Sequence, residues 1–254
     1  MVLVNSHCHT QFSDGTLSIL ETARLAKEKE ISHLYITDHH IPDDPPWTLD
    51  VNKYLREIEK VSSLVNSGLH LHKGVEIDWA NGYEKWFETQ TQEPFDFILG
   101  SVHSIPPERV YAAEIPSEQF KALAQIYFNQ IRRLANSGLA DSIAHLDLVK
   151  LSLDENSDWY REEVQRTLET IAKSGTCIEI NTSGVRKGAK EFHPSFWILQ
   201  SAFQLGIPIT MGTDSHRPEK ELTYMLPEAI VYARLAGYNQ IVRYEDRKRI
   251  QVPI

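Results

Sequence analysis

His7 and His9 stand one residue apart in the stretch NSHCHTQFSDG, and Asp14 follows in the same segment. Residues i and i+2 of a strand face the same way, so both imidazoles can reach one ion while Cys8 turns into the wall. Other metal-capable side chains recur downstream: His39 in ITDHH, Glu76 in GVEIDW, His103 in GSVHS, His145 in AHLDLVK, and Asp214 with His216 in GTDSHRP. Asp214 and His216 repeat the i, i+2 spacing. The set holds nine nitrogen and oxygen donors, among them six of the eleven histidines, and no thiolate. Such a set exceeds the needs of one ion and suits a multinuclear hydrolytic centre of manganese, iron or zinc. A structural zinc site would instead favour a closed tetrahedron rich in cysteine.

These donors need elements that bring them to one place. Seven short apolar runs supply candidates for buried strands: VLVN (2–5), HLYIT (33–37), LHLHKGVEI (69–77), FDFILGSV (95–102), DSIAHL (141–146), CIEIN (177–181) and PITMGT (208–213). Six of them carry the donors at their ends or in the loops just beyond. Amphipathic helical patterns lie between most of them, among them TLSILETARLAKEKE, SEQFKALAQIYFNQIRRLANS and DWYREEVQRTLETIAKSG, several opening after Ser, Thr, Asp or Asn and several closing at Gly. Alternating strands and helices imply a parallel sheet, and seven such units close into an α/β barrel more readily than they lie open. A doubly wound open sheet is the alternative. In a parallel barrel, reactive groups gather at the carboxyl ends of the strands, where these donors fall. His33, His70 and His72 lie near strand starts and read as structural, and His40 as a wall neighbour of His39. Asp38 reads either as a proton-transfer group or as an orienter of a neighbouring ligand.

A chain of 254 residues, 41% of them hydrophobic, with no low-complexity tract or Gly/Ser-rich linker, is expected to form a single domain over 1–254. The net charge of −9 argues against a broad nucleic-acid footprint, while a few local cations still suffice for one small phosphorylated substrate. Two cysteines are too few for a disulfide scaffold; no basic, apolar export signal or membrane-length run is present, so a cytoplasmic protein without membrane contact is expected.

HCHTQFSDG, ITDHH, GVEIDW, GSVHS, AHLDLVK, EINTSGVRK and GTDSHRP, in that order over nearly the whole chain, resemble the polymerase and histidinol phosphatase (PHP) family of metal-dependent phosphoesterases. Within it the pattern looks most like the histidinol-phosphate phosphatases. The resemblance implies a distorted (β/α)7 barrel of the TIM type with three divalent ions. By the family pattern, His7, His9, Glu76 and Asp214 would hold the first ion, Glu76, His103 and His145 the second, and Asp14, His39 and His216 the third. Some members use a histidine where this chain has Gly15; Asp14 is the variant ligand.

It further implies hydrolysis of L-histidinol phosphate by a hydroxide bridging the first two ions, with Glu76, Asp214, His216 and Asp38 in or beside the reacting centre. A PHP-type protein-tyrosine phosphatase, a nucleotide phosphoesterase and a noncatalytic PHP module are the competing readings. Arginine suits phosphate because its fork meets two oxygens at once. Arg186 is the first candidate, followed by Lys150 and Arg217, with His193 lining the pocket. The proline-rich loop 41–47, with Trp47, could cover an organic substrate.

Overall fold

The computed structural model describes residues 2–42, 47–65, 68–79, 82–106, 110–152 and 157–254. Residues 43–46 of the proline-rich loop lie outside the described residues. The barrel strands are β1 (Val4–Asn5), β2 (His33–Ile36) with its continuation β3 (His39–His40), β4 (His70–Asp78), β5 (Phe97–Ser101), β8 (Ser142–Ile143), β9 (Cys177–Asn181) and β10 (Ile209–Gly212). Two short strands, β6 (Ser104–Ile105) and β7 (Val110–Tyr111), form an antiparallel pair after β5. The barrel order is β1-β2-β4-β5-β8-β9-β10, and every pair in it is parallel. Ser6 N donates to Met211 O at 2.9 Å, and Cys8 bridges to Ser215 in parallel register. These contacts bring β1 back to β10 and replace the open-sheet alternative with a nearly closed, distorted barrel.

Helices cover the outside: α1 (Ile19–Glu28), α2 (Val51–Val65), α3 (Glu84–Gln90), α4 (Phe120–Ser137), α5 (Asp158–Ser174), the single turn α6 (Ser183–Arg186), α7 (Phe196–Gln204), the single turn α8 (Pro218–Glu221) and α9 (Leu226–Ala236). Local sequence sets their limits. Ser18 and Glu21 close a reciprocal capping box at the start of α1, satisfying two otherwise orphaned N–H groups. Gly138 (φ 67°) and Gly175 (φ 75°) end α4 and α5 in the left-handed conformation, which side chains with a Cβ resist. In α2 the apolar stripe Tyr54, Leu55, Ile58, Val61 and Val65 is buried, each side chain contributing roughly 1.5–3 kcal/mol. No helix among the described residues is long and apolar enough to cross a membrane.

Tyr54 also does polar work. Its hydroxyl lies 2.9 Å from Ile36 O and 3.0 Å from Gly74 O, where β2 breaks from β4 before β3 rejoins it. The break resets the strand so that His39 pairs with Glu76 in the ladder. At the opposite end of the barrel, β11 (Gln240–Glu245) and β12 (Lys248–Pro253) form a hairpin across the strand starts. Tyr244 N donates to Tyr35 Oη at 2.8 Å, and the Tyr244 and Phe97 rings lie 5.3 Å apart. The strand starts, including His33 and His72, are therefore sealed, and the carboxyl ends are left to form the cavity.

Candidate metal centre

The loops at the carboxyl ends bring all nine donors together around Glu76. This carboxylate is 1% exposed and lies within 3.6 Å of a ring nitrogen of five histidines: His39 at 2.9 Å, His7 and His145 at 3.3 Å, His9 at 3.5 Å and His103 at 3.6 Å. Asp214 Oδ1 stands 3.6 Å from His9 and 3.3 Å from His216. Asp14 lies 3.3 Å from His216 and 3.8 Å from both His9 and His39. His7 and His9 approach each other to 3.0 Å between their Nε2 atoms, with Cys8 buried in the wall.

Among the described residues three groups have donor atoms close enough to share an ion: His9, Asp14, His39 and His216; His7, His9 and Glu76; and His39, Glu76 and His103. Buried polar atoms normally find partners, yet His9 Nδ1, His145 Nδ1 and Glu76 Oε2 have no aligned hydrogen bond. Burial, followed by the neighbouring His216 and His39, holds His9 well below the usual imidazole range, and burial also lowers His145. Burial opposes ionisation of Glu76, but the surrounding imidazoles, His7 first, hold its carboxyl well below the usual range. The carboxylates raise other imidazoles against burial, Glu179 and Glu76 acting on His7 and Glu76 and Asp78 on His103; a bound divalent cation would take the place of those protons, because a ligand imidazole must be neutral. The residues present fit the metals expected of them.

Behind the donors stand groups that aim them. Glu179 is fully buried; its Oε1 accepts from His7 Nδ1 at 2.8 Å, while Oε2 accepts from Asn181 Nδ2 at 2.9 Å and from His145 N at 3.1 Å. With Nδ1 committed to Glu179, Nε2 is the nitrogen that His7 would offer to an ion once a bound cation displaces its proton. Asp78 does the same for His103, whose Nδ1 lies 3.1 Å from Asp78 Oδ1; together with Glu76 it pushes the imidazole up to about 9 against burial. Asp38 takes no place on the cavity wall. Its two oxygens accept from the backbone and hydroxyls of Thr10 and Ser13, tying down the loop that carries Asp14. His40 accepts from Leu49 N at 3.1 Å through Nδ1 and meets Gln90 through Nε2, steadying the segment that holds Trp47.

Glu179 and Asp78 were not among the candidates read from the sequence. Both carried a signal: Glu179 sits in the apolar run CIEIN on the face of Cys177 and Asn181, and Asp78 lies two residues beyond Glu76. A carboxylate facing into a buried strand surface needs a partner, and here the partners are metal-ligand histidines.

The cavity over the centre measures about 290 Å³, and its lining includes the donors Asp14, His39, His103 and Asp214 together with Ile41, Trp47, Tyr111 and Leu148. Among the described residues its one lining lysine or arginine is Lys187, whose Nζ lies 2.9 Å from Asp214 Oδ2. Arg186 points away, donating to the carbonyls of Thr213 at 2.9 Å and Asp214 and pairing with Glu221 at 3.2 Å. Lys150 and His193 are buried behind the wall around Asp147, and Arg217 is exposed on the turn into α8.

The fold and donor set define a barrel-type metallohydrolase with a small, acidic, one-lysine cavity. The PHP domain family matches residues 5–183, and the chain belongs to that family. It is 30% identical to a probable histidinol-phosphatase of Deinococcus radiodurans, over 97% of this chain and 98% of that protein. A histidinol-phosphatase of Bacillus subtilis is 26% identical, over 84% of this chain and 93% of the relative. The crystal structure of histidinol phosphate phosphatase from Lactococcus lactis, complexed with zinc, L-histidinol and phosphate, superposes with a TM-score of 0.83 at 21% identity. Coverage is 98% of both chains. That likeness supports the distorted barrel seen in the described residues.

Proposed function

We propose that this protein is a metal-dependent phosphoric monoester hydrolase that converts L-histidinol phosphate to L-histidinol and phosphate, a cytoplasmic step of histidine biosynthesis. The observation that carries the reading is buried Glu76, ringed within 3.6 Å by five imidazoles, three of which (His39, His103 and His145) line a cavity whose one lysine or arginine among the described residues is Lys187. The choice of substrate is supported by the probable histidinol-phosphatase and the histidinol-phosphatase that the chain matches over 98% and 93% of their length.

His7, His9, Glu76 and Asp214 would hold the first ion, Glu76, His103 and His145 the second, and Asp14, His39 and His216 the third. Manganese, iron and zinc all suit this nitrogen and oxygen set. Divalent ions there would supply Lewis acidity toward the phosphoryl oxygens and lower the pKa of water. The protein's own part is to hold the phosphate in that field and keep the leaving alcohol oriented. Lys187 is the cation placed for the phosphate, and Trp47 and Tyr111 offer flat apolar surface to the imidazole of the substrate. Among the described residues Asp78 is the lining carboxylate outside this ligand set, and it is the acid available to the substrate's ammonium.

The test is phosphate release by metal-reconstituted protein from L-histidinol phosphate, a phosphotyrosine peptide and a nucleotide monophosphate at matched concentrations. A kcat/KM at least tenfold higher for L-histidinol phosphate is the expected result, and loss of turnover on chelation should accompany it. Equal turnover of all three would remove the substrate assignment and leave the phosphoesterase.

A further inference from the structure

Behind the cavity wall lies a second ionic cluster that the metal centre does not use. Asp147 is fully buried, and both oxygens are committed: Oδ1 accepts from His193 Nδ1 at 2.7 Å, and Oδ2 from Ser195 N at 2.8 Å, Ser195 Oγ at 3.0 Å and Lys150 Nζ at 3.1 Å. Lys150 Nζ also donates to Phe192 O at 2.6 Å and to Glu191 Oε1 at 3.0 Å. Burial opposes the charge on Asp147, yet Lys150 and His193 hold its carboxyl well below the usual range. Removing one partner from such a set leaves an uncompensated buried charge, so the cluster acts as a unit.

The cluster joins two loops. One carries His145, two residues before Asp147. The other runs from α6 through residues 187–195 to α7. His193 presses its ring onto Gly184 of α6, where an added Cβ would lie 2.9 Å from the ring and 2.3 Å from Glu191 O. His193 also pairs with the end of β9, with Asn181 N donating to His193 O at 2.7 Å and the reverse bond at 3.0 Å. The turn thus clamped carries Ser183 and Lys187, and both meet Asp214 Oδ2 at 2.9 Å.

We propose that Asp147 is a positioning residue: through His193 and Lys150 it sets the height of the 183–190 turn and so holds the Lys187 ammonium at the cavity wall beside Asp214. A lysine side chain has four rotatable bonds and about 2 kcal/mol of rotamer entropy, so a shift of its backbone anchor scatters the ammonium. The buried Asp147 cluster removes that freedom at the anchor while contributing no group to the cavity. The inference rests on Lys187 being the phosphate cation.

Calorimetric titration of inorganic phosphate into manganese-loaded protein tests it without reference to the organic substrate, in a double-mutant cycle of Asp147→Asn with Lys187→Ala. Asp147→Asn should weaken phosphate binding about tenfold in the native background and by less than twofold once Lys187 is alanine, because coupled positions do not add. Metal stoichiometry should stay at the native value throughout. His193→Phe keeps a ring against Gly184 and removes the bond to Asp147 Oδ1, leaving Lys150 and Ser195 on Oδ2; it should reproduce the effect in the same direction and serves if Asp147→Asn folds poorly. Equal losses in both backgrounds, or native phosphate affinity in Asp147→Asn and His193→Phe, would overturn the proposal. Unchanged affinity in Lys187→Ala alone would instead strike at the phosphate reading beneath it.

Discussion

Replacing Glu179 by glutamine changes one atom in a side chain that never reaches the cavity, and it should still cost the protein much of its metal affinity. Three donors converge on the carboxylate: His7 Nδ1 on Oε1, and Asn181 Nδ2 and His145 N on Oε2. Glutamine offers one oxygen and one NH2, so one side of this arrangement must fail. If the NH2 takes the Oε2 position, two donors face a donor. If it takes the Oε1 position, two bonds survive, but His7 must accept at Nδ1 and carry its proton on Nε2. That proton would sit where Glu76 and His9 lie at 3.3 and 3.0 Å, on the nitrogen offered to the metal.

The second arrangement preserves more hydrogen bonds and is the expected one. Loss of such an outer partner weakens metal affinity by roughly 10–100-fold, equivalent to about 1.4–2.8 kcal/mol. Competition between the protein and a chelating indicator for zinc, in native and Glu179→Gln protein, reads this directly. Thermal unfolding of the metal-free proteins supplies the control, since a tautomer change that retains the remaining bonds should cost about 1 kcal/mol or less. A variant whose zinc affinity lies within twofold of native would refute the orienting role. A fall in metal-free stability large enough to explain the whole loss would refute it equally.

Gly212→Ala attacks the same pair from the opposite side. The new Cβ would fall 2.4 Å from Glu179 Oε1 and from His7 Cβ, so the variant should lose about 1–3 kcal/mol of stability together with metal content; native content by atomic emission would contradict this. Lys187→Ala and Arg186→Ala should separate: the first raises KM for the phosphate monoester about tenfold with metal retained, while the second lowers stability and metal content because its hydrogen bonds hold the Asp214 turn. The opposite pattern in steady-state kinetics would restore Arg186 to the phosphate.

At the sealed end of the barrel, burial first and Arg243 second bring His33 and His72 down to about 4. The unfolded chain takes up protons below about pH 6.5 that these folded imidazoles refuse, so their contribution is complete above pH 6.5 and lost as pH falls toward 4. A His33→Gln/His72→Gln variant should therefore lose about 1–3 kcal/mol less between pH 6.5 and 4 in urea denaturation than the native protein. Parallel profiles would rule it out.

The barrel was legible because the buried parallel strands are short apolar runs and the intervening helices keep their period and caps. Legibility failed where a strand is interrupted or where a local pattern is weak. DSIAHL reads as six strand residues, yet β8 ends at Ile143, because the chain turns sharply to bring His145 to φ 26°. The hairpin β11–β12 was not expected, since VRYEDRKRIQV is dense in charge and exposes one face. Its register is set by the two-residue turn Asp246–Arg247, both at positive φ without a glycine to signal it, and its place on the barrel by distant contacts such as Tyr244 with Tyr35. The donors themselves could be read because each needs a distinctive side chain at a strand end. The cation beside them was harder to assign, because Arg186 and Lys187 are neighbours and only the backbone path shows which one faces the cavity.

That division between Arg186 and Lys187 follows from backbone strain at the centre. His145 (φ 26°) and Asp214 (φ 50°) both lie in the left-handed region, where a residue with a side chain costs of order 1–3 kcal/mol. Glycine would relieve the strain and delete the donor, so the conformation must be held from outside. Glu179 does this for His145 by accepting its N–H, and Arg186 does it for Asp214 by donating to the carbonyls of Thr213 and Asp214 while Glu221 fixes its far side. Glu221 also accepts from His216 N and Arg217 N, so one carboxylate shapes the whole 214–217 turn. Hydrogen bonds to charged groups contribute about 1.5–3 kcal/mol each, enough to offset one strained residue apiece. A guanidinium with several donors in a fixed plane can grip two successive carbonyls, which a lysine cannot. The arginine is therefore bound to the backbone of the site, and the adjacent lysine, with its flexible stem, is the cation left to face the phosphate.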